Sequence, residues 1–268
     1  MEKIIPDKEA VKAYWDENPC IVGKVDCARY SREYFDAIEK NRYETEPEIF
    51  SFAQFSRYSG KKVLEVGVGT GTDFIQWVRS GAEAYGVDLS ATSVEHTLKR
   101  LKVYGLSAKE VRSADAENLP YPEGFFDLAY SWGVIHHSPD TGKALSELIR
   151  VTKAGGRIKV MVYNRRSIGA FLKYLQFGLF RLRPFQGISR ILYNRQESIG
   201  TKAYTLAEIR KILSGFPVRI VEMRTYITKY ELFPQKPFYV RFAVYLMAIM
   251  LNFHNAGWFL VFDLEKQR

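Results

Sequence analysis

Between Lys62 and Asp73 the chain reads Lys-Val-Leu-Glu-Val-Gly-Val-Gly-Thr-Gly-Thr-Asp: an apolar run carrying Glu65, then Gly67, Gly69 and Gly71. Glycines at a strand-to-helix turn let the backbone bend sharply and let a ligand lie against bare main chain. A dinucleotide fingerprint, G-x-G-x-x-G, would need Gly or Ala at position 72, where this chain has Thr72. A pyrophosphate seeks open amides at a helix N-terminus, whereas an acid beside the loop suits a positively charged ligand. The pattern predicts an adenosine ligand bearing a sulfonium or amine, and ranks NAD last. Asp88 ends a second apolar run 21 residues past Gly67, the separation at which a carboxylate accepts from ribose hydroxyls. Asp115, after a third run, can accept from an adenine amino group.

His136 and His137 follow a fourth run, and Tyr163 closes a fifth. A histidine there can take a proton from a hydroxyl or orient a substrate. It can equally be a hydrogen-bonded structural residue. His137 is assigned to the substrate and His136 to the cofactor wall. Tyr163 is a hydrogen-bonding or a packing tyrosine. The ring faces of Tyr14, Trp15 and Trp132 can either meet a cation or pack in the core.

Positioning these groups falls to short apolar runs alternating with amphipathic stretches. Strands are expected around residues 62–66, 84–88, 110–113, 125–131 and 157–163, with helices between them. This alternation favours a parallel sheet covered by helices on both faces, with ligands off the carboxyl ends of the strands. Thr92 with Glu95, and Thr205 with Glu208, have the spacing of capping boxes. Helices are also expected near residues 10–15, 28–40 and 47–58, with Pro19 and Gly23 as interruptions. Val218 to Tyr226 reads as a sixth strand and Trp258 to Phe262 as a last one.

Taken in order, VLEVGVGTGTD, YGVDLS, ADAENLPYPEGFFD, SWGVIHH and RVTKAGGRI resemble the Rossmann-like (class I) S-adenosylmethionine-dependent methyltransferases, in particular the type 11 group of small-molecule methylators, over about residues 60–163. The resemblance implies an α/β fold: a doubly wound, mostly parallel seven-stranded sheet, its seventh strand antiparallel between the fifth and sixth, with a helical N-terminal extension and cap insertions. It implies S-adenosylmethionine as cofactor. Glu65, Gly67, Gly69 and Gly71 would form its loop, Asp88 with Leu89 would hold the ribose, and Asp115 with Ala116 would meet adenine. Ser131 would line the pocket, and Tyr14 would lie on a helix closing over it. The expected organisation is a helical extension at 1–59, the cofactor-binding core at 60–163, a basic-aromatic cap at 164–204, and 205–268 completing the sheet with a helical insertion at 227–256.

The composition, 47% hydrophobic and 15% aromatic, supplies a full core and excludes a disordered chain. The net charge of +9 is uneven: between Asn164 and Lys202 eight basic residues face one acid, Glu197. Aromatic residues share that segment and the insertion holding Phe238, Phe242 and Met247. A partly apolar acceptor with an anionic group, peripheral membrane contact, RNA docking and an ordinary solvated surface are the readings open to it. Nucleic acid ranks low, since Ser131-Trp132-Gly133-Val134 stands where an amino-methylating Asn-Pro-Pro-Tyr would. Cys20 and Cys27 form no metal or redox motif, and no metal is expected. The start Met1-Glu2-Lys3 is charged rather than apolar, and no apolar run approaches the ~20 residues of a membrane span, so a cytoplasmic enzyme is expected. The activity that follows is methyl transfer to a small or medium-sized, partly apolar acceptor, first at oxygen. An RNA or protein methyltransferase and a non-catalytic cofactor binder are the alternatives.

Overall fold

Alternation of side-chain direction along β1 (Lys62–Val66) sends Val63 into one apolar cluster and Leu64 into another, on opposite faces of a central sheet. The computed structural model describes residues 7–19, 26–198, 200–232, 237–250 and 256–268, the side chains of Leu232, Met247 and Ala248 excepted; Met1, Cys20 and Gly23 lie outside that set. The remaining strands are β2 (Glu83–Asp88), β3 (Glu110–Ser113), β4 (Phe126–Trp132), β5 (Thr152–Asn164), β6 (Ala203–Tyr204), β7 (Val218–Tyr226) and β8 (Phe259–Lys266). Their order is β3-β2-β1-β4-β5-β8-β7. β8 runs antiparallel between β5 and β7, and the strands from β3 to β5 are parallel. This is the predicted doubly wound architecture. It differs by one addition: β6, two residues long, pairs in parallel with Tyr163 and Asn164 of β5.

The helices are α1 (Lys8–Glu17), α2 (Arg32–Thr45), α3 (Glu48–Ala53), α4 (Phe74–Arg79), α5 (Ala91–Tyr104), α6 (Thr141–Val151), α7 (Ile168–Phe177), α8 (Ile188–Arg195), α9 (Leu206–Leu213), α10 (Lys229–Leu232) and α11 (Phe238–Met250). Thr205 and Glu208 form the expected capping box of α9. At α5 the cap is Ser90 rather than Thr92: its hydroxyl accepts from the Ser93 N–H. The Asp88 carboxylate receives the Ser90 N–H, fixing the turn two residues ahead of the expected start.

The single helix expected over 47–58 is broken. Gln54 takes a left-handed conformation, φ 58°, and a 3-10 turn, Phe55–Tyr58, follows. The cause is a buried lysine in β5. Lys159 Nζ donates to Phe52 O at 2.6 Å and to Gln54 Oε1 at 2.9 Å, placing a cation on the carbonyl end of α3.

α7 packs against α8, α10 and α11, beside the carboxyl end of β5 and the amino end of β8. Val244 of α11 joins Ile168, Ala256 and Leu172 in a small separate cluster. No described helix is long and apolar enough to cross a membrane.

Candidate active site

The carboxyl ends of β1, β2, β4 and β5 open into one cavity of about 560 Å³, within the usual range for small-molecule sites. Glu65, Gly67, Gly69, Asp88, Leu89, Asp115, Ala116, His137 and Tyr163 all line it.

At one end the backbone turns through Gly67 (φ 84°) and Gly69 (φ 52°). A Cβ on Gly67 would stand 2.2 Å from Val134 Cγ2, so glycine keeps this cradle open. Asp88 Oδ2 accepts from Gly69 N and Oδ1 from Ser90 N, both at 2.9 Å. A carboxylate has about four acceptor sites, so these amides leave capacity for a ligand. Burial pushes the Asp88 carboxyl up to about 6; the Gly69, Ser90 and Leu89 amides pull it down and the Asp16 charge pushes it further up. Because the charged form is the one that accepts from a ribose, ligand affinity should fall about tenfold between pH 7 and pH 5. The fold does not suffer from that protonation: a buried acid whose pKa is raised in the native state costs stability progressively as pH rises from its ordinary value of 3.8 to about 6, and in full above that. Calorimetric titration with S-adenosylhomocysteine at both pH values reads this, and Asp88→Asn should give weak, pH-flat binding.

Glu65 lies beneath the loop and accepts from Trp77 Nε1 at 2.8 Å. Burial, then the Asp73 charge, holds its carboxyl well above the usual range. Arg42, from α2, reaches the same corner and donates to Glu46 at 3.1 Å and Asp73 at 3.3 Å. Glu46 also receives Trp132 Nε1 at 2.7 Å. α1 closes the cavity from above. Lys8 bridges Asp115 at 2.7 Å and Glu117 at 2.6 Å, and Asp16 accepts from the Ser90 hydroxyl at 2.6 Å.

The other end holds His137, Tyr163 and Glu197. Tyr163 donates its hydroxyl to both Glu197 oxygens at 2.9 Å, and His137 Nε2 stands 3.3 Å from Glu197 Oε2. His137 Nδ1 lies 2.9 Å from Ser198 Oγ and 3.0 Å from Thr201 Oγ1. The Thr201 hydroxyl donates to Ser198 O, so toward the ring it can only accept. Ser198 Oγ can still donate to Nδ1, so both tautomers fit these contacts; the form protonated at Nδ1 is the one that leaves a lone pair on Nε2. Glu197 is enclosed by protein yet accessible from the cavity. Burial opposes its charge, but His137, Tyr163 and Lys173 hold its pKa below the ordinary value. Its backbone is left-handed, φ 51°, a strained state for a residue with a side chain. An imidazole lone pair beside a carboxylate can take a proton and be stabilised as the cation.

Four residues expected at the site do not line the cavity. His136 is fully buried, packed on His137 and Tyr163 with ring centroids 4.3 and 4.2 Å away. The turn closed by His137 N to Val134 O directs it inward. Burial, then the neighbouring His137 and Lys202, keeps it neutral, its pKa well below the usual value. Ser131 is buried inside β4. Gly71 serves helix packing, since a Cβ there would stand 2.8 Å from Thr97 Oγ1. Trp15 lines the cavity in place of Tyr14, against which it packs edge-on; consecutive helical residues point about 100° apart. Sequence reasoning did not find Arg42, Lys173 or Glu197. For Glu197 a signal existed: it is the lone acid in the basic segment.

Residues 64–160 match a methyltransferase-domain family, Methyltransf_11. The ubiquinone/menaquinone biosynthesis C-methyltransferase of Francisella philomiragia is 31% identical over 157 residues, 57% of this chain and 60% of that protein. The chloroplastic tocopherol O-methyltransferase of Arabidopsis thaliana is 34% identical over 119 residues, 43% of this chain and 34% of that protein. These matches span from about a third to three-fifths of the relatives' length. The geranyl diphosphate C-methyltransferase of Streptomyces coelicolor shares the fold, with a TM-score of 0.64 at 15% identity over 99% of this chain and all of that one.

Proposed function

We propose that this chain, whose core is a class I S-adenosylmethionine-dependent methyltransferase domain, moves a methyl group to a small or medium-sized, partly apolar acceptor, with oxygen the first expected site of transfer. The cofactor supplies a methyl carbon activated by a positively charged sulfur. Gly67 and Gly69 would lie under it, the free acceptor sites of Asp88 would hold its ribose, and Leu89, Asp115 and Ala116 would surround its adenine. Glu65 and Arg42 line the same cavity, where the amino and carboxylate ends of the cofactor could be told apart. In-line displacement needs the nucleophile held in line and water excluded, which falls to α1 above and to Tyr163, Leu172 and Trp258 around the acceptor end.

His137 Nε2 would take the proton of an acceptor hydroxyl, and Glu197 would stabilise the imidazolium. Lys173, whose charge burial disfavours, gives an anionic group on the acceptor a place to pair. One observation carries this reading: the glycine cradle and the His137–Glu197–Tyr163 cluster open into the same cavity. The test is calorimetric binding of S-adenosylhomocysteine, then radiolabelled methyl transfer to a panel of hydroxyl-bearing amphiphiles. Micromolar binding and a labelled product are expected. A folded chain that binds neither S-adenosylmethionine nor its demethylated product ends the reading.

A further inference from the structure

α11 buries Val244 and turns the opposite face outward. Phe238, Phe242, Tyr245 and Ile249, spaced i, i+4, i+7 and i+11, form an exposed stripe, with Tyr239 and Met250 beside it. A second exposed apolar group follows α7: Phe180 in the 3-10 turn Leu179–Arg181, then Leu182 at 92% and Phe185 at 100% exposure. Soluble surfaces seldom carry so many large apolar side chains together without a partner. Their neighbours are cations. Arg181, Arg183, Arg190, Arg195 and Arg241 are all exposed, and residues 165–196 and 238–250 contain no acid.

Charge decides among the occupants. A second copy would bring arginines against arginines. A nucleic acid would satisfy the arginines and leave the aromatic and aliphatic side chains wet. A negatively charged bilayer satisfies both, taking apolar side chains below its headgroups and cations at its phosphates. We propose that the face formed by α11 and the turn after α7 docks on an anionic lipid surface. The helix that leads into its turn, α7, also builds the acceptor end of the cavity with Leu172, Lys173 and Gln176, and Tyr230 lines it from α10, which packs on both α7 and α11. Docking there sets the acceptor side of the site next to the membrane, where an amphiphile resides.

The test is co-sedimentation of the full chain with vesicles of phosphatidylcholine and phosphatidylglycerol in equal parts. Partitioning at least about tenfold stronger than to pure phosphatidylcholine is expected, and weaker at high salt. Phe180→Asp/Phe242→Asp and Arg181→Glu/Arg183→Glu should each lower it about tenfold while S-adenosylhomocysteine binding and the circular dichroism spectrum stay as in the wild type. Absence of anionic-vesicle binding overturns the proposal, whether the chain instead forms a concentration-dependent dimer sensitive to these substitutions or shifts RNA. Vesicle binding that neither double variant weakens overturns it as well. Vesicle binding without S-adenosylhomocysteine binding supports the docking surface and refutes only the methyl-transfer reading.

Discussion

Gly67→Val should abolish measurable S-adenosylhomocysteine binding, raising Kd at least about a hundredfold, which corresponds to ~2.7 kcal/mol. Two effects combine. The left-handed backbone of Gly67 costs an L-residue about 1–2 kcal/mol. The new side chain also collides with Val134, whose methyl already lies where the Cβ would go, and overpacking of this kind costs about 1–3 kcal/mol. Relief by moving Val134 pushes a methyl into the cavity that it lines. Gly105→Ala separates the two effects: Gly105 is equally left-handed, φ 64°, but a Cβ there meets nothing within 4 Å. It should lower the melting temperature slightly and leave affinity unchanged. Equal losses of affinity in both variants would show that the cradle is not where the ligand lies.

The second large effect is on turnover. His137→Gln keeps a polar side chain of similar reach but removes the basic lone pair, and should lower kcat for a hydroxyl acceptor by about 10²–10⁴, the usual share of a general base. Glu197→Gln keeps the shape and one acceptor oxygen for Tyr163 but removes the charge beside Nε2. It should lower kcat about tenfold or more, with S-adenosylhomocysteine affinity unchanged, because Glu197 lies at the far end of the cavity from Asp88 and Gly67. A Glu197→Gln enzyme with wild-type kcat across the pH range would assign Glu197 to packing. The double variant should be little worse than His137→Gln alone if the carboxylate acts through the imidazole.

The strands and the cofactor end were legible because their signals are local. Glycine spacing, an acid at a strand end and alternating apolar runs each depend on a few adjacent residues. The Thr205–Glu208 box was legible for the same reason. Ser90 was not, because a tertiary contact, the Asp88 carboxylate on its amide, decides where α5 begins. The broken helix at Gln54 and its cause, Lys159, are 105 residues apart, and no window of sequence contains both. The order of the paired histidines does not show that His136 leaves the cavity wall: a single turn sends one to the cavity and its neighbour into the core. Glu197 meets His137 and Tyr163 only once the segment after β5 has folded back, as does Arg42 of α2 with Asp73 of the loop after β1.

The position of β8 bears on how the molecule comes into being. Residues 259–266 fill the gap between β5 and β7, and bond along nearly the whole of β7 and along residues 157–163 of β5. A growing chain that has completed β5 and β7 therefore carries two raw edges, rich in unpaired amides, for as long as that last strand is missing. Synthesis of the sheet can start early but can close only late, and during that interval the half-made protein has most need of a chaperone.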